Sequence, residues 1–194
     1  MHRGRNVRIA ILGWGSLLWD GGPEFDRWHG PWQYDGPALK LEFSRVSESR
    51  LGALTLVIDH EHGTPATVAW CLSKRAGLED AVCDLRSREG TTLGNIGRAT
   101  ITREAASLNC DPENLIVWAQ AKNLDGVIWS ALKSNFQEET KQPFSVDAVV
   151  AHLKSLTPEG KVKAAEYVWR APDFVRTRVR AALQKEPWFS KAGG

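Results

Sequence analysis

Val7-Arg8-Ile9-Ala10-Ile11-Leu12, running into Gly13-Trp14-Gly15-Ser16-Leu17-Leu18-Trp19-Asp20, is the stretch whose reading decides the fold. The first six residues are a nearly continuous apolar run of strand length, ended by glycine. Such a run reads as a buried strand, although its periodicity alone also fits a short helix. The glycines that follow predict a tight loop entering a short helix, and Asp20-Gly21-Gly22-Pro23 breaks whatever precedes it. Glycines directly after a strand let successive backbone N–H groups converge on one point, which makes a concavity for an anion or a polarised carbonyl oxygen. Ser16 adds a hydroxyl. The spacing is neither that of a P-loop nor that of a dinucleotide fingerprint.

Outward from this loop, three more strands are expected. Ala38–Val46 alternates, with Leu39, Leu41 and Phe43 on one face and Lys40, Glu42 and Ser44 on the other. Ala53–Ile58 and Thr67–Leu72 are apolar, and the turn between them predicts an antiparallel hairpin. Residues 77–88 carry Leu78, Ala81, Val82 and Leu85 at helical spacing, with Gly90 as a C-terminal stop. Leu115–Gln120 and Gly126–Leu132 read as strands, the second also fitting the start of a helix. Beyond Pro143 the pattern is helical. Val146–Leu156 and Asp173–Gln184 are the clearest helices, with Asp173 as N-cap of the second. A strand-rich first half and a helix-rich second half, without regular βαβ alternation, predict an α+β fold.

The whole chain narrows the function classes. Its 194 residues are 42% hydrophobic and 25% charged, enough for one self-supporting domain over 1–194. A net charge of +2 argues against bulk nucleic-acid binding, and no apolar run is long enough to span a membrane. Cys71, Cys83 and Cys110 are sparse and odd in number, which fits reduced thiols in the cytoplasm. Cys71 and Cys83 fall on apolar faces and read as small core residues. Five of the nine tryptophans lie in the first 70 residues and can pack a core or wall a pocket.

Other clusters read more plainly. His60 and His62, spaced i, i+2, would share a strand face and could bind zinc. They precede Gly63-Thr64-Pro65, so a solvated turn is expected and no metal is assigned. Arg45, Glu48 and Arg50 flank a strand end. Arg45 could reach a substrate carboxylate, but a surface ion pair is the plainer reading. Arg176, Arg178 and Arg180, among Phe174, Val175 and Val179, read as a solvated face around an apolar stripe. Such a face could also bind phosphate or an acidic partner.

Gly13-Trp14-Gly15-Ser16-Leu17-Leu18-Trp19-Asp20 after a strand resembles the opening of the gamma-glutamylcyclotransferase-like family, whose loop usually reads Tyr-Gly-Ser followed by Asn or Leu. Members acting on glutathione often carry a tryptophan a few residues on, where this chain has Trp19. A second landmark, a catalytic glutamate after a hairpin and a helix, is matched by Leu85-Arg86-Ser87-Arg88-Glu89-Gly90. The resemblance spans residues 7 to 120. Trp14 departs from it, because the family's usual tyrosine hydroxyl is missing there. The resemblance implies a small mixed or antiparallel, barrel-like sheet with flanking helices over residues 7–132, followed by a helical C-terminal extension over 143–194. It also implies a cytoplasmic, cofactor-independent enzyme, a lyase or transferase of gamma-glutamyl and glutathione metabolism. Trp14, Gly15, Ser16, Leu17, Leu18 and Trp19 would bind the gamma-glutamyl group. Glu89 would move the proton as the substrate closes to 5-oxoproline and releases an amine. The alternative is a protein of the same fold that holds an acidic ligand without turning it over.

Overall fold

The computed structural model describes residues 7–101 and 112–189. Cys110 lies outside the described residues. The described chain divides into two compact units that interleave along the sequence. The first takes in residues 7–13, 20–39, 67–101 and 112–132, and the second takes in 14–19, 40–66 and 133–189.

The first unit is built on a four-stranded mixed sheet of β1 (Ile9–Gly13), β5 (Ala69–Leu72), β6 (Ile96–Thr100) and β7 (Gly126–Ser130). Its order is β5-β1-β7-β6. β1 runs parallel to β7, with Ile9 opposite Gly126, and antiparallel to β5, with Ala10 opposite Leu72. A central strand covered on both faces explains why Ile9 to Leu12 shows no alternation, since all four are buried. The outer edge of β5 is met by the irregular segment after the short helix α1 (Pro23–Asp26). Gly30, Gln33 and Gly36 donate their N–H groups to Leu72, Trp70 and Val68. Helix α2 (Leu78–Glu89) packs Ala81, Val82 and Leu85 against this sheet. It ends at Gly90, whose φ of 60° is the left-handed cap that glycine adopts freely.

Leu115–Gln120 is not a strand. It belongs to helix α3 (Pro112–Ala121). Leu115 and Ala119 are buried while Val117 is exposed, the burial rhythm of a helix, and Asn123 at φ 54° closes its end. Its β-branched and aromatic residues misstate the local preference that packing overrides. β6 is short and glycine-containing, and no strand is expected there from the sequence.

The second unit holds a three-stranded sheet of β2 (Ala38–Ser47), β3 (Ala53–Ile58) and β4 (Thr64–Thr67), in the order β3-β2-β4. The expected hairpin of Ala53–Ile58 with Thr67–Leu72 does not form. β3 pairs with β2, β4 takes the other side of β2, and Ala69–Leu72 is β5 of the other sheet. The turn Asp59–Gly63 carries the chain past β2, and Val68 separates the two short strands. Strands divided this way leave two open sheets among the described residues, so no closed barrel exists. α4 (Phe136–Thr140), α5 (Val146–Ser155), α6 (Pro158–Arg170) and α7 (Arg178–Leu183) complete this unit, and α6 packs on β3. No helix among the described residues is long and apolar enough to cross a membrane.

Two readings near the C-terminus change. The last helix starts at Thr177, whose hydroxyl accepts from the Arg180 N–H, rather than at Asp173. Arg180 is buried, not solvated, and donates to the carbonyls of Ala171, Pro172 and Val175. Those bonds hold residues 171–175 out of helical form.

Glu42 also departs from expectation. With Ser44 it is fully buried, so β2 is covered on both faces at this point. Glu42 Oε1 accepts from the Phe43 N–H at 2.8 Å, while Oε2 has no hydrogen bond of ordinary geometry among the described residues. Burial pushes its carboxyl above the ordinary value, against the opposing pull of Thr177, the Phe43 and Val179 amides and the Arg178 charge. A raised folded value means the stability contribution is full below the ordinary carboxylate range and is lost as pH rises through the folded value. Glu42→Gln is therefore expected to stabilise the protein at pH 7 by about 1 kcal/mol, the scale of one buried polar mismatch. Urea midpoints at pH 7 and at pH 4 check this, since the gain should shrink at the lower pH.

Candidate functional site

The loop after β1 forms a 3-10 turn, Ser16–Leu18, closed by Leu18 N–H to Gly15 O at 3.0 Å and Trp19 N–H to Ser16 O at 3.2 Å. Trp14 and Leu17 are buried, and Ser16, Leu18 and Trp19 are half-buried. Trp14 is a tether rather than a wall: its indole N–H donates to Leu56 O at 3.2 Å. The Leu56 N–H donates to the Tyr167 hydroxyl at 3.5 Å. β3 is an edge strand, and these two side chains satisfy outward backbone groups that a bare edge would leave unpaired.

Tyr167 comes from α6 and is the residue that sequence reasoning missed. Its ring meets Trp19 edge-on at 5.5 Å and Phe43 at 6.3 Å. The Arg50 guanidinium carbon stands 4.9 Å from its centroid, and that of Arg170 stands 5.6 Å from the Trp19 ring. A signal was available. Thr157-Pro158-Glu159 is a full helix start, with Thr157 accepting from the Gly160 N–H, and Ala164, Tyr167, Val168 and Ala171 then share one buried face.

Gly15 has a steric reason to be glycine. A Cβ there would lie 2.5 Å from the Tyr167 hydroxyl oxygen. Gly15→Ala should therefore destabilise the protein by roughly 1–3 kcal/mol, the usual cost of overpacking. Adding Tyr167→Phe should recover part of that loss. A double-mutant cycle by urea unfolding reads the coupling, and strict additivity would refute it.

Glu89 is the last residue of α2 and belongs to the first unit. Its side chain is only 13% exposed and pairs with Arg88 Nη1 at 2.9 Å; Arg88 is 11% exposed. The Ser130 hydroxyl donates to the other carboxylate oxygen at 3.5 Å, and Arg88 Nη2 donates to Asp20 O at 2.7 Å. Glu89 is thus neither solvated nor loosely held. A cleft of about 370 Å³ in the same unit is lined by Gly22, Phe25, Trp28, Arg75 and Arg88. Arg75 there is paired with Asp84, in bonds of 2.7 and 2.8 Å, and stands over Trp28.

No family model matches the chain, and comparison with curated proteins gives no match.

The remaining expected residues take structural parts. Asp59 is buried and ties its own turn, accepting from the Glu61 and His62 N–H groups at 3.1 and 2.9 Å. Burial pushes Asp59 up, but the His62 amide bond, with the other groups around the carboxylate, outweighs it and holds the carboxyl below its ordinary value. His60 is exposed, and no group of three metal-ligating side chains occurs among the described residues. Arg45 donates to Lys133 O instead of forming an ion pair. Cys71 is buried, and burial pushes its thiol up, away from thiolate chemistry. Cys83 is exposed rather than a core residue.

Proposed function

We propose that this protein cyclises a gamma-glutamyl compound to 5-oxoproline with release of an amine. The loop Trp14–Trp19 binds the glutamyl group and Glu89 serves as the general acid/base. In this reaction the substrate's α-amino nitrogen attacks its own γ-carbonyl carbon. The new C–N bond closes the ring as the bond to the leaving amine breaks, and Glu89 takes the proton from the first nitrogen and returns it to the second. Nothing in that sequence calls for a metal or an organic cofactor. Because attack is intramolecular, holding the bent conformer supplies much of the rate.

The observation that carries the reading is the state of Glu89: a carboxylate at the Glu89-Gly90 motif, largely withdrawn from water and fixed by Arg88 and Ser130. A merely solvated helix-end acid would be exposed. The loop supports it through its fixed turn, which Trp14 and Tyr167 anchor at Leu56. The test is 5-oxoproline release from a panel of gamma-glutamyl amino acids, gamma-glutamyl amines and glutathione, with calorimetric titration of the same compounds. Release from at least one compound is expected. Tight binding of an acidic compound without product from any would replace this reading with that of a binding protein.

A further inference from the structure

We propose that Arg50, held over the Tyr167 ring, reads a substrate carboxylate at the loop. This rests on the gamma-glutamyl reading above.

Arg50 stands apart in how its donors are used. A guanidinium carries five N–H donors, and a half-buried one normally finds an acceptor for at least one of them. Every other arginine among the described residues does so. Arg75, Arg88, Arg98 and Arg170 bind carboxylates, Arg27 pairs with Glu24, Arg86 reaches the Ser87 hydroxyl, and Arg8, Arg45, Arg176, Arg178 and Arg180 bind backbone carbonyls. Arg50 alone makes no hydrogen bond and no ion pair among the described residues. Its guanidinium carbon instead stands 4.9 Å from the centroid of the Tyr167 ring.

The fold nevertheless fixes where Arg50 stands. It closes the 3-10 turn Glu48–Arg50 between β2 and β3, just before Leu51 and Gly52, both at positive φ. That turn is pinned to the helices. A ring nitrogen of His152 hydrogen-bonds with Gly52 O at 2.8 Å, and Gly160 packs so closely on Leu51 O that a Cβ there would come within 2.8 Å. The ring beneath the guanidinium is equally fixed, by Trp19, by Phe43 and by the Leu56 N–H. Its hydroxyl rests on Gly15. A positioned cation with unused donors, over a ring whose far end touches the loop, suits a carboxylate: cation–π contact holds the guanidinium while its N–H edge receives the anion. Nearby Arg170 is already engaged by Glu166, which leaves Arg50 as the reader.

A gamma-glutamyl amino acid offers two such anions, its α-carboxylate and the carboxylate of its leaving part. Calorimetric binding of gamma-glutamylalanine, its α-carboxamide and its C-terminal carboxamide separates them, measured on wild type, Arg50→Gln, Arg50→Lys and, as a control away from the ring, Arg45→Gln. The wild type should lose at least tenfold in affinity when one particular carboxylate is made an amide. Arg50→Gln should bind the parent compound about as weakly as that amide and no longer distinguish the two. Arg50→Lys should retain part of the preference, and Arg45→Gln should discriminate like wild type. The carboxamide that erases the difference names the carboxylate. Equal affinities across the three compounds in wild type, or undiminished discrimination in Arg50→Gln, overturn the proposal, and absence of binding to all three overturns it together with the gamma-glutamyl reading. Discrimination that depends on Arg50 without release of 5-oxoproline upholds Arg50 and removes only the cyclisation.

Discussion

Replacing Glu89 by Gln should leave the protein folded and lower 5-oxoproline formation by roughly 10²–10⁴-fold, the range a positioned general base contributes. The substitution isolates proton transfer. Glutamine keeps the length of the side chain and an oxygen that can accept from Arg88, its amide N–H can turn to the Ser130 hydroxyl as acceptor, and Arg88 keeps its bond to Asp20 O. What disappears is an oxygen able to take a proton from the substrate amine. Binding of the gamma-glutamyl compound should change far less than turnover, because the loss falls on the transition state. A purely structural Glu89 would behave otherwise: the variant would unfold at lower urea, and its rate per folded molecule would stay within a few-fold of wild type. Circular dichroism, the urea midpoint and the initial rate, taken on one preparation, distinguish these outcomes. Glu89→Asp should fall between them, since a shortened side chain moves the carboxylate by about the length of one C–C bond and positioning of the reacting atoms carries much of the rate.

How far the sequence could be read follows from which forces act locally. β1 and α2 are legible because their burial matches their pattern: Ile9 to Leu12 form an unbroken buried strand, and Ala81, Val82 and Leu85 form one helix face. The motif residues Trp14–Trp19 and Glu89 were nameable beside them, the loop following β1 directly and Glu89 ending α2. The misreadings all concern partners distant in sequence. Leu115–Gln120 has strand-forming residues, yet its burial is helical. Ala53–Ile58 and Thr67–Leu72 look like a hairpin, yet β2 stands between β3 and β4. Glu42 reads as a solvent-facing strand residue until the first turn of α7 is seen to cover it. Tyr167 and Arg50 are the most consequential omissions. They lie 117 positions apart and become one feature only when α6 packs on β3 and on the turn before it.

Arg180 shows the same dependence on burial, and its replacement by methionine should destabilise the protein by about 3 kcal/mol, since three buried carbonyls lose their donors at roughly 1 kcal/mol or more each. Three carbonyls are at stake. Nη1 donates to Pro172 O at 2.7 Å and to Val175 O at 2.9 Å, and Nη2 donates to Ala171 O at 2.8 Å. Methionine fills much of the volume but donates to none of them, so each carbonyl must find water or stay unsatisfied in a buried place. Burial already pulls the Arg180 guanidinium below its ordinary value, with the charge of Asp173 opposing. The arginine is therefore kept for its donors and not for favourable solvation. Lysine should recover only part of the loss: it retains the charge, but a point ammonium cannot span three carbonyls as a planar fork does. Urea unfolding should rank wild type the most stable, Arg180→Lys next and Arg180→Met the least stable. A solvated Arg180, as the sequence suggests, would make both substitutions nearly neutral, within about 0.5 kcal/mol.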